Sequence, residues 1–287
     1  MSTTSPQTHE IDANAMVSPQ LCYAMLMTIL NDREFIEKHP VYFYPESQKT
    51  AVIVDPRYDT WMEAVIRNFM FFMNPLGWNL CIVSHSGYES KIKEDFPNCR
   101  FEAIDESMIT IDDKGIPNIS IDQYNTMFKR ISFWKNKTEH LAIFQKDCIM
   151  FRMFPAHFAE YAFAGANYYG AVSPMYGGIN GGFSLRRRSA MIECIEQVSY
   201  TQIYKHNPVL ETDKDRLNED VFFTHACEIL NKVVPDKITR SFLAIENDYN
   251  IDSCVFHGWN KYVKRIEFVA QILSNSPLFS KYIQTKQ

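Results

Sequence analysis

Five short stretches of this chain carry residue types that could do chemistry. Gln145-Lys146-Asp147 follows the apolar run HLAIF (140–144), and α/β proteins receive ligands just past the carboxyl ends of such strands. Gly177-Gly178 and Gly181-Gly182 leave the backbone bare, which lets N–H groups and a ligand approach closely, and a helix beginning soon afterwards would favour anions. Arg186, Arg187 and Arg188 come next; such a cluster either binds phosphate or forms a solvated helix face with one arginine turned inward. Asn218-Glu219-Asp220 stands before the apolar run VFF. Paired carboxylates there either complement a helix dipole or hold a general base at a pocket entrance, where an acceptor hydroxyl must lose its proton. His257, between Phe256 and Gly258, is a core histidine unless a carboxylate from elsewhere in the fold makes it a metal ligand.

The elements that must position these residues can be read from periodicity. AVIVD (51–55) and NLCIVS (79–84) are continuous apolar runs of the kind buried in parallel sheets. Between them Trp61, Ala64, Val65, Phe69 and Phe72 recur at helical spacing, and Asn74-Pro75-Leu76-Gly77 stops the helix. Strand, helix and strand in so short a span make a βαβ unit and imply a parallel sheet. A helix near 88–95, a strand RFEAI (100–104), one amphipathic helix through Tyr124, Met127, Phe128, Ile131 and Trp134, and the strand HLAIF extend the pattern. Past residue 152 the texture turns aromatic and glycine-rich, and a helix resumes over 189–204. The reading is an α/β fold with a Rossmann-like, mostly parallel central sheet flanked by helices. Residues 1–17 form a polar tail and 18–287 a single domain, with a nucleotide-type half at about 50–152 and a more irregular half at about 153–265.

Composition narrows the classes of function. The chain has 287 residues, 46% apolar and 22% charged, as ordinary globular proteins do. A net charge of −5 argues against a broad basic face for nucleic acid, while leaving room for a local phosphate pocket. Seven cysteines without a CxxC pair read as buried thiols in a reducing compartment. The early apolar run LCYAMLMTIL is too short to span a bilayer and lacks the basic flank of a signal peptide. A cytoplasmic protein is expected, with virion association if the source is viral. The segment around Leu278-Phe279 and Tyr282-Ile283 packs internally or against a second subunit of a homodimer.

Asp after a mid-chain strand, bare glycines, an acidic pair, then a late histidine: in that order the chain resembles the GT-A glycosyltransferases. It resembles more closely a GT-A-like family of fungi and large DNA viruses described as a domain of unknown function. The matching words are VDPR (54–57), FW (133–134), FQKDCIMFR (144–152), NGGFSLRRR (180–188), NEDVFF (218–223) and FHGW (256–259). The resemblance implies that Asp147 is the last acidic residue of a DxD element binding Mn²⁺ or Mg²⁺ on the donor diphosphate, with His257 as second protein ligand. It implies that Gly181 and Gly182 line the donor-sugar and acceptor side and that Asp220 or Glu219 is the base or an acceptor contact. Asp55 and Arg57, ending the first strand, fall where such folds receive the nucleotide, and Arg186 joins the donor contacts. The implied reaction moves a sugar from a nucleotide sugar, commonly a UDP-sugar, to a glycan or protein acceptor, by inversion or retention. The chain departs from the pattern at Gln145, where the first DxD carboxylate would stand, and at Ala162, where a Tyr-Asp-Tyr stretch would place another. These departures support a second reading, a nucleotide-sugar or carbohydrate-binding module without turnover. A third, an NAD-type oxidoreductase, ranks last because the first strand ends in Asp55-Pro56-Arg57 and lacks glycines.

Overall fold

Strand residues of this chain alternate between two apolar cores, one on each face of a central sheet. The computed structural model describes residues 26–28, 30–167, 178–208, 210–211, 217–246, 250–258 and 275–278. β1 (Lys49–Val54) sends Ala51 and Ile53 to one core and Val52 and Val54 to the other. β2 (Asn79–Ser84) does the same with Leu80 and Ile82 against Cys81 and Val83. With β3 (Arg100–Ala103) they form the parallel run expected, joined by the helices Thr60–Met73 and Glu89–Asp95. Asp59 caps the first of these helices, and Gly77, at φ +82°, closes the short turn Asn74–Leu76 that ends it. A two-stranded excursion, β4 (Thr110–Ile111) and β5 (Pro117–Asn118), precedes the return to the sheet at β6 (His140–Phe144).

The single amphipathic helix expected across Tyr124–Trp134 is two helices, Ile121–Phe128 and Ile131–Lys135. Ser120 and Gln123 form a capping box at the start, and the indole N–H of Trp134 donates to the Phe128 carbonyl at 2.7 Å, occupying an acceptor that the break frees. The helix expected over 189–204 is likewise two, Arg188–Gln197 and Tyr200–His206, because Ser199 and Gln202 build a second capping box inside the apolar pattern.

β7 (Cys148–Met150) turns back from β6 into a small second sheet, and β8 (Phe163–Asn167) and β9 (Ile179–Arg187) complete the central one, in the order β3-β2-β1-β6-β9-β8. β1, β2, β3 and β6 are parallel; β9 runs antiparallel to both β6 and β8. The stretch read as a glycine loop is therefore a buried strand, and the helix that follows starts at Arg188, too far along to direct its dipole at the glycines. Between Gly165 and Ala166 the β8–β9 register slips, from Gly165↔Ser184 to Ala166↔Asn180, so Gly181, Gly182 and Phe183 leave the β8 ladder. Gly165 permits this: a Cβ there would stand 2.5 Å from the Asn180 carbonyl oxygen and 2.8 Å from that of Phe183.

The helix Glu219–Ile229 lies against β9, and the helix Lys237–Leu243 against β8. β10 (Ala244–Ile245) pairs parallel to β11 (Val255–His257), which runs antiparallel to β7. The α/β fold with a helix-flanked, mostly parallel six-stranded sheet in one domain is the one the sequence predicts. The six described cysteines are all buried with free thiols, and among the described residues no helix is long and apolar enough to cross a membrane. The proposed tail 1–17, Gly177, Trp259 and the segment from Phe279 onward lie outside the described residues.

Candidate functional site

A cavity of about 720 Å³ opens at the carboxyl ends of β1 and β6, where the parallel strands give way to antiparallel β9. Asp55, Arg57, Gln145, Asp147, Gly181, Gly182, Glu219, Asp220 and His257 all line it. Arg186 does not.

Two ladders bring Asp147 and His257 together. Opposite β7, the register pairs His257 with Cys148, and the N–H of Gly258 donates to the Asp147 carbonyl at 2.8 Å. His257 Nε2 thus stands 3.4 Å from Asp147 Oδ1. On the other side of the ring Nδ1 lies 3.5 Å from Glu246 Oε1, an ion-pair separation too long for a hydrogen bond. Burial would lower the His257 pKa, but the two carboxylates outweigh it and raise it to about 9. Glu246, which directly follows β10, also accepts from Asn180 Nδ2 at 3.1 Å.

The ring of His257 occupies the space where Gly182 lacks a side chain; a Cβ at Gly182 would fall inside van der Waals contact with Nε2, Cδ2 and Cε1. A Cβ at Gly181 would stand 2.5 Å from Glu219 Oε1 and 3.1 Å from the Asp220 Cβ. The paired glycines are bare first of all for these side chains of the same chain. Their remaining face lines the cavity.

Glu219 and Asp220 are neighbours with different fates. Glu219 is 3% exposed and bound by both arms of Arg186, at 2.5 and 2.9 Å. Arg186, expected among the donor contacts, is itself 1% exposed behind the cavity wall. Its Nε donates to Ser184 at 2.9 Å, and Phe163, Phe128, Phe223 and Trp134 surround the guanidinium at 4.7 to 5.9 Å. It is the counter-ion that lets Glu219 be buried, and it leaves no face for phosphate. Of the three arginines this is the one turned inward.

Asp220 has no cationic partner at bonding distance among the described contacts. Its Oδ2 accepts from the Gly181 N–H at 3.0 Å and its Oδ1 from the Val221 N–H at 2.8 Å. Burial and the neighbouring Glu219 charge push its pKa up to about 6, against the pull of those N–H groups and of Arg186. At neutral pH it is an ionised carboxylate with appreciable basicity, as general-base work requires.

Asp55 is tied in a fork by its near neighbour Arg57, whose Nε and Nη2 donate to Oδ1 and Oδ2 at 3.0 Å each. Arg57 and Lys146, the latter paired with Asp59 at 2.7 Å, both line the cavity, each with a carboxylate partner. Ala162 lies elsewhere, against a separate hollow with Arg187 and Lys232, so the carboxylate missing there removes nothing from this cavity.

Sequence reasoning did not single out Glu246, Asn180, Tyr124 or Asn125. Asn125 accepts from the Glu219 N–H at 2.9 Å and donates to Asn218 at 3.0 Å, fixing the start of the acidic helix. The buried Tyr124 hydroxyl stands in the cavity wall, as does Gln145. Asn125 hides in the polar positions of a helix read only for its apolar face. Glu246 repeats the pattern that marked Asp147, an acid just past a strand, but its strand is two residues long and leaves no readable period.

A metal implied by the resemblance fits these residues. Asp147 and His257 are a carboxylate and an imidazole converging on the cavity, a mixed oxygen–nitrogen donor set that, with phosphate oxygens, suits Mn²⁺ better than Mg²⁺. Glu246 behind the ring stands where metal-bound histidines usually have an orienting carboxylate. Cys148, the third possible ligand nearby, instead directs its thiol to the Gly182 carbonyl at 3.1 Å.

Residues 107–255 match a protein-family model described as "Protein of unknown function (DUF5672)". A search of curated proteins gives no significant match. Among solved structures the chain is similar to one described as "Crystal structure of the apo-form glycosyltransferase GlyE in Streptococcus pneumoniae TIGR4", at 11% identity and a TM-score of 0.44. That alignment covers 84% of this chain and 64% of the other, so the chain spans less than two thirds of that structure's length.

Proposed function

The chain belongs to the DUF5672 family, a family of unknown function, and for the cavity it presents we propose transfer of a sugar from a nucleotide sugar, of the UDP class, to an acceptor hydroxyl of a glycan or protein. The observation that carries this reading is the presence, within one cavity, of the Asp147–His257 pair and the basic carboxylate of Asp220. Sugar transfer needs both kinds of group: one to meet the negative leaving group, one to take a proton from the nucleophile.

In the proposed reaction the acceptor O–H gives its proton to Asp220 as its oxygen bonds to the anomeric carbon. The bond from that carbon to the phosphate oxygen breaks, and its electron pair leaves with the nucleoside diphosphate. The N–H groups of Gly181 and Val221 hold both oxygens of Asp220, so the base does not have to be ordered during the reaction. Glu219 raises the basicity of Asp220 through its charge, while Arg186 keeps Glu219 itself occupied. A divalent ion held by Asp147 and His257 would neutralise the growing diphosphate charge. Arg57 and Lys146, each paired with an aspartate, line the cavity and offer N–H donors to the nucleotide end of the donor. One displacement with Asp220 as base inverts the anomeric centre.

Gln145 favours the second reading, a module that binds the nucleotide sugar without turning it over, since it lacks the charge of a first DxD carboxylate. A panel of nucleotide sugars, with and without Mn²⁺, separates the two by release of nucleoside diphosphate and by thermal shift. Expected is Mn²⁺-dependent release from one donor, abolished in Asp147→Ala and Asp220→Asn. A thermal shift without release selects the binding module, and neither response from folded protein rejects both.

A further inference from the structure

A second convergence of metal-ligating side chains stands apart from the cavity, on the helical layer. The helix Tyr200–His206 ends in His206, and the helix Glu219–Ile229 presents His225 and Glu228 one turn apart on one face. His206 Nε2 and His225 Nδ1 both reach the same atom, Glu228 Oε2, at 3.1 and 2.9 Å. All three ligand atoms lie within 4.8 Å of one another. We propose that His206, His225 and Glu228 form a binding site for a first-row transition-metal dication of the zinc type.

The chemistry of the donors selects this class of ion. Two imidazoles and one carboxylate suit zinc and its neighbours, whereas Mg²⁺ and Ca²⁺ prefer oxygen alone. Ligands at about 2.1 Å from a tetrahedral ion lie about 3.4 Å apart, so the two imidazole–carboxylate spacings need to open by only a few tenths of an ångström. His225 is 4% exposed, while the His206 and Glu228 side chains are 39% and 32% exposed. The site is thus anchored on its inner side and open outward, leaving a coordination position for water.

Asn207 supplies an independent sign. Its amide nitrogen lies 3.4 Å from Nε2 of His225, the ring nitrogen facing away from Glu228, and its Oδ1 is buried without a hydrogen bond among the described residues. Turned by 180°, the amide presents that oxygen to an Nε2–H. The proton then sits on Nε2, and Nδ1 keeps a lone pair directed at the Glu228 carboxylate. Two lone pairs facing each other are unfavourable unless a cation lies between them, either a second proton on the ring or a metal ion. Metal-bound histidines are held in this way, with the far ring N–H donating to an oxygen acceptor.

Equilibrium dialysis of chelator-treated protein against Zn²⁺, with metal counted per chain, tests the assignment. Wild type, His206→Ala, Glu228→Gln and the cavity double variant Asp147→Ala/His257→Ala are compared, each checked for folding by circular dichroism. Expected is about one Zn²⁺ per chain fewer in His206→Ala and in Glu228→Gln than in wild type, while the cavity variant keeps the ion held by His206, His225 and Glu228. Co²⁺ in place of Zn²⁺ should give a visible absorption spectrum in wild type that His206→Ala removes. Equal metal content in wild type and the folded His206→Ala protein, or a Co²⁺ spectrum unchanged by that substitution, overturns the proposal. Should His206→Ala fail to fold, Glu228→Gln decides by the same two readings, since it keeps the size and hydrogen-bonding capacity of the side chain.

Discussion

The two sides of the central sheet are buried to a similar degree and built from different chemistry. In β1 and β6 the inner residues, Ala51 to Val54 and Leu141 to Phe144, are all apolar, and the strands gain by removing that surface from water. In β9, Asn180, Ser184 and Arg186 are as deeply buried, at 7%, 0% and 1% exposure, and each depends on a polar partner. The parallel side is a scaffold whose parts can be exchanged for others of like size. The antiparallel side is a set of obligate pairs, and the candidate chemistry of the cavity, except Asp55, Arg57, Lys146 and Asp147, touches it.

The sharpest way to break that contrast is Asp220→Asn. With the base gone, sugar transfer should fall by about 10²–10⁴-fold in a product-release assay, while the fold stays intact. An effect below tenfold would move the base elsewhere. Next comes Arg186→Met, which leaves Glu219 buried without its counter-ion and should cost about 3–5 kcal/mol in a denaturant titration. The double substitution Arg186→Met/Glu219→Gln should recover most of that loss; failure to recover would mean the arginine matters for its packing against the rings. Gly182→Ala displaces the His257 ring, and a misplacement of that kind should lower turnover by about 100-fold and weaken Mn²⁺ dependence.

A smaller effect is expected from pH. Since Asp220 titrates near 6, kcat/KM should fall about tenfold per unit below that pH, as the carboxylate gains the proton that stops it acting as a base. Above 6 the rate should level off on this limb. A limb near 4 instead would show that the carboxylate is not desolvated as the structure has it. The smallest change is expected on the parallel side, where Ile53→Val should cost about 0.5–1.5 kcal/mol and leave turnover unaltered. A large loss of turnover there would end the distinction between scaffold and pairs.

The same contrast explains what could be read from the sequence. Apolar runs announce strands buried on both faces, so AVIVD, NLCIVS and HLAIF fall where β1, β2 and β6 do, and with them the position of the cavity. β9 was hidden because Gly181, Gly182 and the three arginines make a strand look like a loop running into a helix. Strand propensity is a weak guide where burial depends on partners far away in the chain. Two long helices were read where the chain has four, because local caps at Ser199 and the Trp134–Phe128 bond interrupt an otherwise continuous apolar face. Asp147 and His257 were legible as residue types in order; the carboxylate behind them, Glu246, was not. The inward turn of Arg186 could be named as an alternative, but only the aromatic cage of Phe128, Trp134, Phe163 and Phe223 selects it.

The bare backbone at Gly182 has a consequence for how this protein can change over generations. The missing side chain at 182 and the imidazole at 257 share one volume, so they are a single trait written at two distant places in the gene. A descendant cannot acquire a side chain at 182 while the ring remains, whereas it can lose the ring first and acquire the side chain later. The order of the two changes is therefore imposed, and its first step removes the imidazole from the cavity. Lineages carrying a larger residue at 182 should prove to be those that have already given up histidine at 257.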